Sequence, residues 1–240
     1  MAIFTIADLH LSTHASTNKS MEIFGRRWEH YTERLKARWE AVVQEEDTVV
    51  VGGDISWALT LEEALDDLRF IDALPGKKIL LKGNHDFWWC TMQKHRDFFE
   101  KHGIGSISFL FNNAHEAGPF VLAGTRGWFQ DGDGGINGAD AEKIQNRELM
   151  RLRTSLDAAR ALQAAGGEDR EILVFTHFPP VWQGYVWEPF TELLTQYGVR
   201  RVYFGHIHGQ YALPPVIRER DIDFHMVSAD FLDFLPKLIV

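Results

Sequence analysis

Short apolar blocks punctuate this chain and read as strands. Ile3–Ala7, Val49–Val51, Lys78–Leu81, Glu171–Phe175 and Arg201–Phe204 carry β-branched and aromatic residues, and each is followed by polar or glycine-containing sequence. Between them run longer stretches with apolar residues at helical spacing. Trp28–Gln44 sets Tyr31, Leu35, Trp39, Val42 and Val43 on one face. Thr60–Asp72 opens with a capping box, Thr60 to Glu63, and stops at Pro75-Gly76. Phe87–His102 runs to Gly103, a C-terminal signal. Asp140–Ala165 is the longest helical pattern, with Ile144, Leu149, Leu152, Leu156, Ala159 and Leu162 near helical spacing, and Pro189–Tyr197 is the last. Ile107–Phe111 and Phe120–Ala123 read as two strands joined by a turn around Asn112–Pro119, and Ile222–Val227 as a final strand. Residues 12–27 are polar and irregular.

This order predicts a single domain over residues 1–240, an α/β sandwich of two sheets. Its first three strands should be parallel and joined by right-handed crossovers. No internal repeat and no low-complexity linker interrupts the pattern.

Composition narrows the partners. With 45% hydrophobic and 25% charged residues in 240, the chain has the balance of a soluble globular protein. Its net charge of −9 comes without a basic stripe, which disfavours long nucleic acid. Cys90 is the single cysteine, so no intrachain disulfide forms and a reducing compartment fits. It falls in a predicted helix and reads as a buried thiol. The N-terminal residues lack a signal-like pattern, and no apolar run reaches membrane-spanning length. The expectation is a cytoplasmic protein with no membrane association; nothing in the sequence fixes its oligomeric state.

The chemistry sits where the apolar blocks stop. Asp8-Leu9-His10, Gly52-Gly53-Asp54, Gly83-Asn84-His85-Asp86, Thr176-His177 and Gly205-His206-Ile207-His208 offer carboxylates, an amide and imidazoles at the C-terminal ends of predicted strands. Ligands of open α/β sheets bind at such ends. Asp8 and His10 sit two apart, and on extended backbone both would point the same way. Mixed nitrogen and oxygen donors without thiolate suit Mn, Fe, Zn, Co or Ni and argue against copper-thiolate and iron–sulfur sites.

Taken together, the five segments in this order resemble the calcineurin-like metallophosphoesterases. The match spans residues 8–208. The fragments Asp8–Ser12, Gly53–Trp57, Gly83–Trp89, Gly124–Trp128 and Val227–Asp230 resemble a bacterial group of predicted phosphohydrolases within that family. The resemblance implies two mixed β-sheets flanked by helices and two metal ions, with Mn, Fe or Zn expected. It puts Asp8, His10 and His208 on the first metal, and Asn84, His177 and His206 on the second, with Asp54 bridging. His85 would face the phosphate as the catalytic group, and Asp86 would orient His85. Many relatives carry a second acidic residue three positions after the bridging Asp; here Trp57 stands instead.

The implied activity is hydrolysis of a phosphate mono- or diester of a small molecule or nucleotide by a metal-bridging hydroxide. A protein Ser/Thr phosphatase on the same site, or a noncatalytic scaffold of this fold, are the alternatives. Arg126 suits bidentate phosphate recognition, and reads equally as a salt-bridge residue. Trp57 and Trp128, near motif ends, read as packing or as a stacking surface for substrate. Arg147 and Arg151 share a helix face and read as solvated or ion-paired. Asp131–Gly138 with Glu142 looks like a calcium loop, but Gly135 and Ile136 break the template; it reads as an exposed loop.

Overall fold

The computed structural model describes residues 1–14, 17, 19–128, 139–166 and 170–240. Its elements begin with β1 (Ile3–Ile6), α1 (Tyr31–Val42), β2 (Thr48–Val51), α2 (Leu65–Asp72), β3 (Lys77–Leu80), α3 (Met92–His102) and β4 (Ile107–Phe109). Then come β5 (Ala114–Ala117), β6 (Phe120–Thr125), α4 (Ala139–Gly166), β7 (Glu171–Thr176), and a small hairpin of β8 (Val181–Trp182) and β9 (Tyr185–Val186). Last are α5 (Glu188–Gln196), β10 (Arg201–Phe204), β11 (Val216–Glu219), β12 (Ile222–Met226) and β13 (Lys237–Leu238).

Two mixed sheets result. The first has the order β13-β1-β2-β3-β4 and is parallel except for β13. The second has the order β11-β12-β10-β7-β6-β5, with antiparallel edge strands around a parallel centre. Both faces of each sheet are covered, which is why the central strands read as unbroken apolar runs. In β2, Val49 and Val51 pack toward α1 and α2, while Val50 joins Leu173, Phe175 and Tyr203 of the other sheet. In β7, Ile172 and Val174 pack toward Leu152 and Leu156 of α4. The layers are therefore helices, sheet, sheet, helices, as expected from the sequence.

The pairing around residue 110 departs from the expectation. Ile107–Phe109 lies beside β3 in the first sheet, and the chain then crosses to the second. The hairpin that exists is β5–β6, so the stretch assigned to a turn holds a strand. Strands β11 and β13 and the β8–β9 hairpin were not anticipated either. The first three helices begin later than their patterns suggest. The Thr60–Glu63 capping box forms, with Glu63 N–H donating to Thr60 Oγ1 at 3.2 Å, but regular α-helix starts only at Leu65. Thr91 caps α3 by accepting from Lys94 N–H at 3.3 Å. Cys90 consequently lies in the turn before that helix and is half-buried, not a core thiol. Residues 131–138, the calcium-like loop, lie outside the described residues.

Candidate metal centre

Five strands end at one place. Asp8 follows β1, Asp54 follows β2, Asn84 follows β3, His177 follows β7 and His206 follows β10. Backbone hydrogen bonds stitch these ends together: Asp8 N–H donates to the Gly53 carbonyl at 2.9 Å, His10 N–H to Asp54 at 2.9 Å, and Gly205 N–H to His177 at 3.1 Å. Asp8 (φ 61°), His10 (φ 45°), Asp54 (φ 50°) and His206 (φ 69°) all adopt left-handed backbone, unusual for non-glycine residues. The extended geometry expected for Asp8 and His10 is thus absent; two sharp turns, with Leu9 buried between them, bring both side chains to the site. A Cβ at Gly83 would collide with the Asp54 carboxylate, and one at Gly205 would lie 2.5 Å from Asp8 Oδ2. These two motif glycines are there for close approach.

The donor atoms fall into two groups, Asp8 with His10 and His208, and Asp54 with His177 and His206, each within 4.8 Å of one another. Asp54 Oδ2 stands between them, 3.7 Å from His10 Nε2 and 3.5 Å from His177 Nε2. Asn84 Oδ1 is 2.6 Å from His177 Nε2 and 3.1 Å from His206 Nδ1. His177 Nδ1 faces the Gly52 carbonyl at 3.2 Å and must donate to it, which leaves Nε2 as a lone pair aimed at two oxygens. His208 Nδ1 donates to Asp230 Oδ1 at 2.9 Å, so its Nε2 lone pair meets His10 Nε2 at 3.2 Å. Nitrogen and oxygen donors converging in this way fit a cation, and His177 and His208, backed by a carbonyl and a carboxylate respectively, have the usual support of a metal ligand.

The charge balance agrees. Burial raises Asp8 to about 7 against the opposing pull of His208. Burial, then Asp86 and Asp8, push Asp54 well above the carboxylate range. Burial holds His10 and His177 well below the usual imidazole value, with neighbouring histidines adding to it. Burial also lowers His208, but Asp230 and Asp8 outweigh it and its value rises. A positive ion would reverse the upward push on the two carboxylates, and the neutral imidazoles of His10 and His177 are already in the form that ligates a metal.

His85 stands at the edge of these groups, its Nε2 4.0 Å from Asp54 Oδ2 and its side chain 37% exposed. Its backbone N–H donates to Asp54 Oδ1 at 2.8 Å. Asp86 does not orient it. The Asp86 carboxylate, fully buried, accepts from the N–H groups of Gly83, Ile55 and Ser56 and from Trp88 Nε1. It ties the loops after β2 and β3 to each other.

A cavity of about 400 Å³ opens at the site, lined by His10, Asp54, His85, His206 and His208 together with Met21, Phe24, Trp28, Trp57, Gly209, Tyr211 and Asp230. Trp57 is therefore in it, stacked on His10 with centroids 4.8 Å apart. Arg126 and Trp128 are not among its lining residues. Arg126 lies 3.8 Å from the buried Glu148, which Arg151 also engages at 2.6 Å and Arg147 approaches to 3.9 Å. Trp128 packs beside Phe178. The salt-bridge reading of Arg126 and the ion-pair reading of Arg151 are the ones the contacts support.

Asp230 was missed as a site residue. Besides His208 it accepts from Gly209 N–H and the Tyr211 hydroxyl, both at 3.0 Å. It follows a strand, β12, as the other site residues do, so the same signal marked it. Met21 and Phe24 carried no such signal, since they lie in a short 3₁₀ turn without periodicity, and Trp28, expected to open a helix, lies in a second 3₁₀ turn before α1.

The sequence profile of the calcineurin-like phosphoesterases matches residues 1–210. Among curated proteins none is significantly similar in sequence. Phosphopantetheinyl hydrolase (PptH) from Mycobacterium tuberculosis has a similar structure, at 15% identity and TM-score 0.54 over 100% of this chain and 95% of its own. TT1561 of Thermus thermophilus gives 10% identity and TM-score 0.56 over 95% and 89% of the two chains. A protein of unknown function from Aquifex aeolicus gives 17% identity and TM-score 0.48 over 99% and 95%. Likeness to the Mycobacterium tuberculosis and Thermus thermophilus proteins, at these identities, is one of fold. Among the described residues no helix is long and apolar enough to cross a membrane.

Proposed function

Because the chain belongs to the calcineurin-like phosphoesterase family, and so is a metal-dependent phosphoesterase, we propose that it works with two metal ions on a small phosphate mono- or diester. The observation that carries this reading is the pair of donor groups sharing Asp54 and opening onto one cavity. Asp8, His10 and His208 would hold one ion and Asn84, His177 and His206 the other, with Asp54 shared between them. Bound there, the cations supply Lewis acidity and a water nucleophile near neutral pH.

Hydrolysis forms a bond from water oxygen to phosphorus and breaks the bond from phosphorus to the alcohol oxygen. His85, at the cavity edge, protonates the departing alcohol oxygen, and the proton of the attacking water passes to solvent. Trp57 braces His10 and shields it from water. A cavity of about 400 Å³ is of small-molecule size, which favours a compact ester over a protein substrate. Residues 1–240 act as one catalytic unit, since both sheets and the segment after β12 border the cavity. The single cysteine favours a cytoplasmic setting.

The test is to assay the metal-loaded protein on p-nitrophenyl phosphate, bis(p-nitrophenyl) phosphate, cyclic nucleotides and phosphopeptides, before and after chelation. Turnover of at least one small ester, abolished by chelation, is expected. Two bound metals with no turnover of any of them would refute the reading. His85→Ala should lower kcat by roughly 10²–10⁴ with metal content unchanged; an unaltered kcat removes His85 from the chemistry.

A further inference from the structure

The cavity at the metal centre is two-faced. The metal-facing part is His10, Asp54, His85, His206 and His208; much of the remaining wall is Met21, Phe24, Trp28 and Tyr211. No lysine or arginine lines it among the described residues. Two cations border it from outside, packed on the rings of lining residues. The Arg27 guanidinium lies over the Tyr211 ring at 5.0 Å and pairs with Asp233 at 3.3 Å, while Lys19 Nζ sits over Trp57 at 4.9 Å. The carboxylate that borders the apolar wall is Asp230.

We propose that this wall is the leaving-group subsite and selects phosphoesters of uncharged, apolar alcohols over nucleotides and other esters with a second anionic group. The inference rests on the phosphoesterase reading above. A second phosphate or a carboxylate in this part of the cavity would be desolvated beside Asp230, against a wall that has no guanidinium or ammonium of its own and with Arg27 outside it already paired to Asp233. An apolar group instead covers Phe24, 67% exposed, and Tyr211, 46% exposed, at the mouth of a reactive site. Trp57 offers little as a stacking platform for a base, because His10 lies against it and Lys19 sits over its ring.

Two aryl phosphates of matched phenol acidity, 4-ethylphenyl phosphate and 4-(carboxymethyl)phenyl phosphate, separate charge from reactivity. With the metal-loaded full chain, kcat/KM should favour the ethyl compound by about tenfold or more, the effect of burying a small apolar group against repelling an anion. Phe24→Lys, at an exposed position, should cut that ratio by about tenfold. Turnover of both esters with a ratio near one, or a ratio unchanged in Phe24→Lys, overturns the subsite while leaving the phosphoesterase reading intact. No turnover of either ester overturns the subsite; it refutes the phosphoesterase reading as well only when the metal-loaded protein also leaves bis(p-nitrophenyl) phosphate, cyclic nucleotides and phosphopeptides intact.

Discussion

The two halves of the metal centre are built by different means. The His177 end of the centre is wired into backbone: His177 is wholly buried and its outer nitrogen meets a carbonyl. The half with His10 and His208 faces the cavity and relies on a side chain, Asp230, to hold His208. Backbone support comes with the fold and survives most substitutions, whereas side-chain support is open to removal one residue at a time. The His208 half is therefore where this protein is adjustable, and the His177 half where it is rigid.

The shared residue gives the largest effect. Asp54→Asn should empty both halves and lower kcat/KM by at least about a thousandfold, since several kcal/mol of Lewis-acid stabilisation go with the metals. Metal analysis finding both ions at full occupancy in that variant would show that the halves do not meet at Asp54.

The rigid half has an acid-sensitive foundation. His95, buried, packs against Trp88, whose indole N–H donates to Asp86 beneath the Asn84 loop. Burial lowers His95 from 6.5 to about 4, so the folded protein prefers the neutral ring. Its contribution is whole above pH 6.5 and is lost as pH falls from about 6.5 to 4, amounting to no more than about 3 kcal/mol. Denaturant melts at stepped pH should show His95→Gln with a flatter acid limb than the parent. Parallel limbs would mean that His95 does not set it.

The adjustable half gives the smallest effect and the sharpest contrast. Asp230→Asn should weaken one metal about tenfold to a hundredfold and leave the other unchanged. Equal weakening of both ions, read by titration calorimetry on the apo protein, would erase the distinction between the halves.

Legibility in the sequence follows the same division. The ligands after β1, β2, β3, β7 and β10 stood out because parallel strands buried on both faces are unbroken apolar runs that stop abruptly. β5 did not, because Ala114-His115-Glu116-Ala117 is an edge strand with one solvated face and no apolar run. That β4 and β6 belong to different sheets is a matter of long-range pairing, to which local periodicity is blind. Asp86 was misassigned because adjacency to His85 in sequence said nothing of where its carboxylate points. Two residues of the apolar wall, Met21 and Phe24, were hidden in residues 12–27, where irregular backbone gives hydrophobic side chains no pattern to reveal them.

The left-handed turns at Asp8, His10, Asp54 and His206 set evolution of stability against evolution of activity at this site. Glycine would relieve on the order of 1 kcal/mol of backbone strain at such a position, and at Asp8 or Asp54 it would also remove a buried carboxylate. A metal-free chain screened for thermal tolerance alone would drift toward glycine at those four positions and come out sturdier and inert. Thermostability engineering of this protein must hold them fixed and look for its gains elsewhere.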